Sequence, residues 1–243
     1  MKAIEQLKLE YRSARYKYRK DRGGIAFIEN RVRKGDTVLD IGAHKGAYLN
    51  ILLRQAGKQG RVIAFEPQRI LYDYLTRISA LLSWDNAVVE HLALTGTNGT
   101  SLLNIPINRK SNGTSPGASL VKNFDSDQLI VTETVQTTTL DSYCQLHNIR
   151  PDFLKIDTEG NELAILKGGE NILKLYKPII YVEIEARHTG AKMVLETIEY
   201  LELLGYAGHF IHGSKRIPVS QFNIEKYQNP SDRKNYCNNF TFE

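Results

Sequence analysis

The segment "VLDIGAHKGAYL", residues 38–49, constrains the fold more strongly than any other part of the chain. It joins a short apolar run to two glycines, Gly42 and Gly46, and then to a helix-like stretch that ends at Gly57. An apolar run bounded by glycine is typical of a buried strand, and the stretch behind it has the length of a helix. The segment therefore predicts a strand, a tight turn open to a ligand, and a helix N-terminus that can hold polar or anionic groups.

Strand-like segments alternate with helix-like ones along most of the chain. This alternation predicts a layered α/β fold with about seven strands, of which the last two could pair as an antiparallel edge. The strand-like segments are, in order, "DTVLDIG", "RVIAFEP", "AVVEHLAL", "PDFLKIDTEG", "KPIIYVEIEARH", "YAGHFIH" and "CNNFTFE".

Two regions lie outside this alternation. Residues 1–23 form a basic, helical N-terminal extension, and we place the domain itself at 24–243. Within that domain, residues 95–139 contain β-branched stretches separated by Asn, Gly, Ser and Pro, which predicts an inserted hairpin with a long mobile loop. Loops longer than about 12–15 residues in a compact domain are usually functional or disordered. We therefore expect this region to shape or cover a ligand pocket.

The composition limits the class of protein. Hydrophobic residues make up 42% and charged residues 24% of the 243 residues, which is typical of a globular domain. No run approaches the roughly 20 apolar residues of a membrane span, and the N-terminus lacks the apolar stretch of a signal peptide. Cys144 and Cys237 are too few for a disulfide scaffold, so we expect two free buried thiols in a cytoplasmic protein.

The net charge is +5, and much of the basic excess lies between Lys8 and Lys34. A solvated helix face explains such a run, and this is the interpretation we favour. The alternative is a surface for an anionic partner such as nucleic acid, a nucleotide-linked sugar or a membrane headgroup. Oligomeric state has no signature in the sequence.

The glycine loop differs from a dinucleotide loop at one position. Asp40 stands where the GxGxxG fingerprint has its first glycine, and no Gly-Lys-Ser/Thr follows as in a phosphate loop. An acid would repel a pyrophosphate but suits the sulfonium and ammonium groups of S-adenosylmethionine. Glu66 ends the second strand, where a carboxylate can accept hydrogen bonds from a ribose diol. NAD also has such a ribose, but the pair of Asp40 and Glu66 favours S-adenosylmethionine.

Three stretches, "DIGAHKG", "AFEP" and above all "DFLKIDTEGNELAILKGG", resemble the FkbM family of S-adenosylmethionine-dependent methyltransferases. The resemblance implies a class I methyltransferase fold, Rossmann-like, with seven mostly parallel strands, an antiparallel last strand and helices on both faces. His44 departs from the family, which often has Asn at this position. The cofactor-binding residues that we expect are Asp40, Gly42, Ala43, His44, Gly46, Glu66, Ala93 and Asp157.

Ligands of open α/β sheets bind at the carboxyl ends of the strands, so the acids at those ends are the candidates for catalysis. Methyl transfer to a hydroxyl needs a base, and His188 suits the role by its ordinary pKa. Asp157 is the alternative base or the group that orients it, although an ion pair between Lys155 and Asp157 would also explain both residues. Together with Glu185, Asp157 and His188 form our predicted catalytic set. We predict no metal, the alternative being a divalent ion held by Asp157 and Glu185.

The predicted function is O-methylation of a hydroxyl on a sugar or small secondary metabolite, with S-adenosylmethionine as cofactor. The alternative is a methyltransferase for RNA or protein that docks its substrate on the basic N-terminal helix. "KIDTEG" does not resemble the Asn-Pro-Pro-Tyr motif of many nitrogen-methylating enzymes, which argues against base methylation. Two further possibilities, a cofactor-binding protein without catalysis and an NAD oxidoreductase, fit the loop less well.

Overall fold

The computed structural model describes residues 2–107, 114–121 and 129–243. Its strands form two sheets, one of eight strands and one of three. The large sheet contains β1 (Thr37–Ile41), β2 (Arg61–Phe65), β3 (Ala87–Glu90), β7 (Phe153–Ile156), β8 (Ile179–Glu183), β9 (Gly208–His212), β10 (Lys215–Pro218) and β11 (Asn239–Phe242). The small sheet contains β4 (Ala93–Leu94), β5 (Gly99–Pro106) and β6 (Ile130–Thr138).

The large sheet has the strand order β10-β9-β11-β8-β7-β1-β2-β3. Strands β8, β7, β1, β2 and β3 run parallel to their neighbours, whereas β11 is antiparallel to both β8 and β9. The mostly parallel sheet with an antiparallel last strand is therefore confirmed. The last two predicted strands, β9 and β11, do pair, but they do not form the edge of the sheet. β11 lies between β9 and β8, where the apolar side chains of Phe240 and Phe242 are fully buried. An additional strand, β10, forms the edge as a hairpin with β9.

Helices cover both faces of the large sheet and enclose two hydrophobic clusters. Alternate residues of β7 show the division, since Leu154 and Ile156 belong to one cluster and Phe153 to the other. The helices are α1 (Lys2–Arg15), α2 (Arg22–Arg31), α3 (Ala47–Ala56), α4 (Arg69–Leu82), α5 (Leu140–Leu146), α6 (Glu162–Lys167), α7 (Glu170–Tyr176), α8 (Ala186–Thr189), α9 (Ala191–Leu203) and α10 (Ile224–Tyr227), with a π-helical turn at Tyr16–Lys20 and a 3-10 turn at Val219–Gln221.

The stretch "NELAILKGGENILKLY" is two helices, α6 and α7, rather than one. The break falls at Gly168 and Gly169, where the chain packs closely on its neighbours. A Cβ at Gly168 would lie 2.6 Å from the carbonyl oxygen of Thr95, and one at Gly169 would lie 2.4 Å from Leu140 Cδ2. Only glycine permits this approach.

The N-terminal extension is joined to the sheet by buried hydrogen bonds. Ser13 Oγ donates to the carbonyl oxygen of Ala47 over 3.0 Å. Asp21 Oδ2 accepts hydrogen bonds from the hydroxyls of Tyr48 and Tyr181, each at 2.6 Å, and its Oδ1 accepts one from Asn239 Nδ2 at 3.2 Å. These contacts fix α1 and the π-helical turn over the start of α3. The division at residue 23 stays a prediction.

The insertion after the third predicted strand contains the expected hairpin, β5 and β6, which β4 extends to a small sheet. The predicted long loop lies in part outside the described residues, at 108–113 and 122–128. Residues 114–121 are described, and they contact both the hairpin and the domain. Ser119 exchanges backbone hydrogen bonds with Asn104, both at 3.0 Å. Gln68 Nε2 donates to the carbonyl oxygen of Ser115 over 2.9 Å, and Gln68 Oε1 accepts from the Ser115 amide over 3.0 Å.

Both cysteines, Cys144 and Cys237, are buried and unpaired, as the sequence predicts. Within 2–107, 114–121 and 129–243, no helix combines the length and the apolar character that crossing a bilayer requires.

Candidate functional site

A cavity of about 790 Å³ opens at the carboxyl ends of β1, β2, β7 and β8. Its volume lies within the range of about 300–1,000 Å³ that is usual for small-molecule sites. Six of the predicted site residues line it, namely Gly42, Ala43, His44, Glu66, Ala93 and Asp157. Pro116, Ala118 and Leu120 from the described part of the insertion also line it, as expected for a segment that shapes the pocket. Asp40, Gly46, Glu185 and His188 do not line it.

The turn after β1 requires glycine at position 42. Its φ is +83°, and a Cβ there would lie 1.9 Å from the carbonyl oxygen of Asp157. Gly46 has a φ of +75° and precedes the first residue of α3. Gly42 therefore allows the ends of β1 and β7 to approach each other closely, whereas Gly46 faces Leu75 of α4 and Leu9 of α1.

His44 occupies the left-handed region, with a φ of 48°. Asn and His are the side chains, besides Asp, that tolerate this region best, which explains how His replaces the Asn common in the family. Its Nε2 atom is buried and has no hydrogen-bond partner in the structure. Burial, assisted by the positive charge of Lys45, lowers the pKa of His44 to about 4. At neutral pH the imidazole is therefore uncharged and free to hydrogen-bond a ligand.

Glu66 fastens the glycine loop to the end of β2. Its Oε2 accepts from the His44 amide at 2.7 Å, and its Oε1 accepts from the Gln68 amide at 2.9 Å. Burial raises the pKa of Glu66 to about 7, although these two hydrogen bonds oppose the shift. Each carboxylate oxygen can accept more than one hydrogen bond, so Glu66 can hold the loop and still accept from ligand hydroxyls.

A buried lysine lies beneath the loop. Lys155 Nζ is 3.1 Å from Asp40 Oδ1 and 3.8 Å from Asp157 Oδ2, and it donates to the carbonyl oxygen of Gly42 over 2.7 Å. Burial alone would lower the pKa of Lys155, but the charges of Asp40 and Asp157 outweigh it and raise the pKa. Asp40 is completely buried and does not line the cavity itself, but it contacts Lys155, which does. Direct contact between Asp40 and the cofactor stays a prediction.

Three carboxylates gather at the other end of the cavity, on Asp157, Glu159 and Glu183. Burial raises the pKa of Asp157; Lys155 opposes this shift, and the negative charge of Glu159 adds to it. Burial and the charge of Asp157 raise the pKa of Glu183 well above its usual range, and Asn238 Nδ2 donates to Glu183 Oε1 over 2.7 Å. A carboxylate with a raised pKa holds a proton better, which is what a general base requires.

Glu185 and His188 lie outside the cavity because β8 ends at Glu183 and the chain turns into α8. Glu185 accepts hydrogen bonds from Arg187 at 2.6 Å, from His188 at 2.9 Å and from the Tyr236 hydroxyl. Burial alone would raise the pKa of Glu185, but the hydrogen bonds from His188 and Arg187 lower it to about 2. Glu185 is therefore ionised at neutral pH, and its two oxygens accept three hydrogen bonds within the protein.

His188 is held between two carboxylates. Its Nε2 atom lies 2.9 Å from Glu185 Oε2 and 3.0 Å from Glu159 Oε2. Burial alone would lower the pKa of His188, but these two contacts raise it to about 9. An imidazole that is already protonated at neutral pH cannot accept a proton from a substrate. The role of His188 as the base stays a prediction, but its raised pKa and its position outside the cavity make Asp157 the stronger candidate.

Ligand atoms of Glu183, Glu185 and His188 lie within 4.8 Å of one another, a spacing that could hold a metal ion. Two of the three already bond each other, since His188 Nε2 is 2.9 Å from Glu185 Oε2. The proposed absence of a metal from the reaction stays a prediction.

The charge on His188 should make stability depend on pH. Its pKa in the folded protein, about 9, lies above the ordinary value of 6.5, so its stabilisation is complete below pH 6.5 and is lost as the pH rises through 9. Allowing for solvent screening, we expect the free energy of unfolding to fall by about 1–2 kcal/mol over this interval. Denaturant titrations at both pH values measure the fall. His188→Gln should remove most of it, and an undiminished fall in that variant would contradict the assignment.

Some residues of the cavity were not among the predicted site residues. Tyr16, Asp21 and Asn239 all line it, the first two from the N-terminal extension and the third from β11. Tyr16 is one of the tyrosines between the basic residues of the extension. Nothing in the sequence placed these residues at the ends of β1 and β7, because their positions depend on packing between distant segments.

One curated protein is similar to this chain in sequence. Hexuronic acid methyltransferase AglP from Haloferax volcanii is 26% identical over 166 residues, which are 67% of this chain and 61% of AglP. The chain thus spans about three fifths of the length of this curated relative.

Two crystal structures show the same fold. Methyltransferase FkbM from Methylobacillus flagellatus matches with a TM-score of 0.54 and 17% identity, over 86% of this chain and 44% of that chain. Aeropyrum pernix fibrillarin, solved with S-adenosyl-L-methionine, matches with a TM-score of 0.51 and 12% identity, over 90% of this chain and 72% of that chain.

The family match covers strands β2, β3, β7 and β8 of the large sheet and the glycine loop after β1. Residues 40–207 match the methyltransferase FkbM domain, which is more than half of the 243 residues. The matched range begins at Asp40 and includes the glycine loop, Glu66, Asp157 and Glu183. The chain therefore belongs to the FkbM family of methyltransferases, and its cofactor is S-adenosylmethionine.

Proposed function

We propose that the protein is an S-adenosylmethionine-dependent O-methyltransferase that acts on a hydroxyl of a sugar or small metabolite. One observation carries the proposal: Glu66, which accepts a hydrogen bond from the glycine loop, and Asp157, with its raised pKa, line the same cavity. The first can hold the cofactor and the second can take the proton of a hydroxyl. The AglP relative, named as a hexuronic acid methyltransferase, supports a sugar as acceptor.

The residues of the cavity fit the cofactor. Glu66 would accept hydrogen bonds from the ribose hydroxyls, and the unpartnered Nε2 of His44 would find a polar partner there. Gly42 leaves space that a side chain would fill, and Ala93 lines the cavity where we expect the adenine. When bound, S-adenosylmethionine supplies a methyl group activated by its sulfonium. The acidic end of the cavity suits the positive charge of that group.

Asp157 would accept the proton of the acceptor hydroxyl. Its side chain is 31% exposed and its Oδ2 lies 3.8 Å from Lys155 Nζ. The lysine keeps the carboxylate ionised, whereas burial and Glu159 raise its proton affinity. These opposing effects give Asp157 the balance between ionisation and basicity that a general base needs.

The position of α1 argues against the alternative in which the basic helix docks RNA or a protein. Several of its basic side chains line the cavity. We also retain a cytoplasmic location in the proposal, supported by the two buried free thiols.

A radiolabelled methyl-transfer screen against sugars, nucleotide-sugars and hydroxylated metabolites tests the activity. Transfer to RNA or protein but to no small hydroxyl compound would contradict it.

Glu66→Ala tests the cofactor site. Charge-assisted hydrogen bonds contribute about 1.5–3 kcal/mol each, so we expect S-adenosylhomocysteine to bind about 10–100-fold more weakly. Titration calorimetry gives the affinity, and NAD serves as a ligand that should not bind. Glu202→Ala, on the exposed side of α9, is the control and should bind as the wild type does. An unchanged affinity in Glu66→Ala would refute the ribose assignment.

A further inference from the structure

The N-terminal segment forms a basic wall of the cavity. Five cations line the cavity, and we call them the basic wall: Lys8, Arg12, Arg15, Lys20 and Lys45. The first three belong to α1, Lys20 belongs to the π-helical turn, and Lys45 lies in the glycine loop. The opposite wall is acidic, because the strand ends contribute Asp157, Glu159 and Glu183.

Most of the basic wall lacks an acidic partner. Lys8 pairs with Glu5 at 3.0 Å, but the other four cations make no ion pair with any residue in the described ranges. By contrast, Lys17, which belongs to the same segment but does not line the cavity, pairs with Glu29 at 2.6 Å. An unpaired set of cations around a partly enclosed cavity attracts an anionic ligand.

The backbone and one guanidinium of the basic wall are fixed in place. Arg12 Nη1 donates to the Tyr74 hydroxyl over 2.7 Å and to the carbonyl oxygen of Lys45 over 3.2 Å. Ser13 and Asp21 anchor the segment on both sides of Arg15 through the buried hydrogen bonds described above. A fixed segment loses little conformational entropy when it binds a ligand.

One end of the basic wall lies beside the carboxylates that we assign to the reaction. The ring of Tyr16 packs on that of Tyr48 with 5.1 Å between centroids, and Lys155 Nζ lies 5.0 Å from the Tyr48 ring. Burial, and then the charge of Asp157, raise the pKa of Tyr16. Lys20 contacts the same Tyr16 ring at 5.7 Å. Arg15 directly precedes Tyr16, lines the cavity, and its positive charge opposes the rise in the Tyr16 pKa. Arg15 and Lys20 are therefore near the end of the cavity where we place the acceptor.

We propose that the acceptor is an anionic sugar, and that Arg15 and Lys20 bind its carboxylate or phosphate group while its hydroxyl faces Asp157. This inference rests on the proposed function and adds the charge of the acceptor to it. The cofactor has one carboxylate, which leaves most of the four unpaired cations available for another anion. Arg15 and Lys20 thus determine specificity, whereas Asp157 takes the proton.

Binding of three probes to the protein saturated with S-adenosylhomocysteine tests the proposal. The probes are D-glucuronate, D-glucose 1-phosphate and D-glucose, which offer a carboxylate, a phosphate and no charge. We expect at least one charged probe to bind about tenfold or more tightly than glucose, since each charge-assisted contact contributes about one factor of ten. Higher salt should reduce this difference. The preferred anion identifies the group that the basic wall recognises.

A matched pair of double variants tests whether Arg15 and Lys20 cause the preference for a charged probe. Arg15→Gln with Lys20→Gln should weaken the preferred charged probe about 10–100-fold, leave glucose unchanged and leave S-adenosylhomocysteine within about twofold. Arg19→Gln with Arg22→Gln removes the same charge from neighbouring exposed residues that do not line the cavity, and should behave as the wild type does.

The outcomes separate this inference from the function on which it rests. Equal or absent binding of charged and neutral probes, or equal losses in both double variants, would overturn the anionic acceptor. If the wild type failed to bind S-adenosylhomocysteine, the proposed methyltransferase function itself would be wrong.

Discussion

Replacement of Lys155 by Met should lower the free energy of unfolding by about 3–5 kcal/mol, the usual cost of breaking a buried ion pair. The side chain of Lys155 is 2% exposed and that of Asp40 is 0% exposed, and their charged atoms lie 3.1 Å apart. Methionine preserves the length of the side chain but leaves the carboxylate of Asp40 buried without a counter-charge. It also removes the hydrogen bond to Gly42, so the cofactor should bind more weakly. Denaturant unfolding and titration with S-adenosylhomocysteine measure the two effects.

Two further variants show whether the lost charge is the cause. Lys155→Met combined with Asp40→Asn removes both charges and should recover much of the lost stability. Lys174→Met, in an exposed pair with Glu170 on α7, should change the stability by less than about 0.5 kcal/mol. If the double variant were no more stable than Lys155→Met, lost packing rather than the unpaired charge would explain the result.

Asp157→Asn should lower kcat by about 10²–10⁴-fold, the usual contribution of a general base. Asparagine has nearly the same shape and can still hydrogen-bond the cofactor but cannot take a proton, so the affinity for S-adenosylhomocysteine should change little. Burial and Glu159 raise the pKa of Asp157. As the solution is acidified, the wild-type rate should therefore begin to fall at a higher pH than it would with an aspartate of ordinary pKa. Steady-state rates across the pH range, with any acceptor found by the screen, measure both effects.

Three controls accompany this variant, and the first discriminates between the candidate bases. His188→Gln should keep most of the activity if Asp157 is the base, and the reverse pattern would restore His188 to that role. Asp73→Asn, at an exposed pair with Arg69 on α4, should leave the rate unchanged. Addition of a chelator should also leave it unchanged, and abolished turnover would show that a metal takes part.

The cofactor half of the site could be predicted because it lies in contiguous sequence. The glycine loop and Glu66 follow two apolar strands, and parallel strands bring their carboxyl ends to one edge of the sheet. The positive φ values of Gly42 and Gly46 agree with that prediction. Asp40 is less predictable from the sequence, because it is buried 3.1 Å from Lys155, which lines the cavity, while Asp40 itself does not. Its contact with the cofactor stays a prediction.

The catalytic half could be predicted only in part. Glu183 and Glu185 alternate as strand residues do, and the sequence favoured Glu185 as nearer the end of the sheet. The strand stops at Glu183, so Glu185 instead bonds Arg187, His188 and Tyr236. A strand end differs from the start of a turn by one or two residues, and this is where sequence patterns are least informative.

The sequence by itself determined the α/β class, the glycine loop and the resemblance to the family, because all of these depend on local hydrophobic period and contiguous motifs. The order of the strands within the sheet came only from the tertiary structure. Only the tertiary structure decided the protonation of His188, the burial of Asp40 and the position of the basic N-terminal helix. A pKa depends on which charges lie within a few ångströms, and the anchor of that helix, Asp21, bonds Tyr181 and Asn239 from the far end of the chain. Such contacts arise from packing between distant segments, which no local pattern encodes.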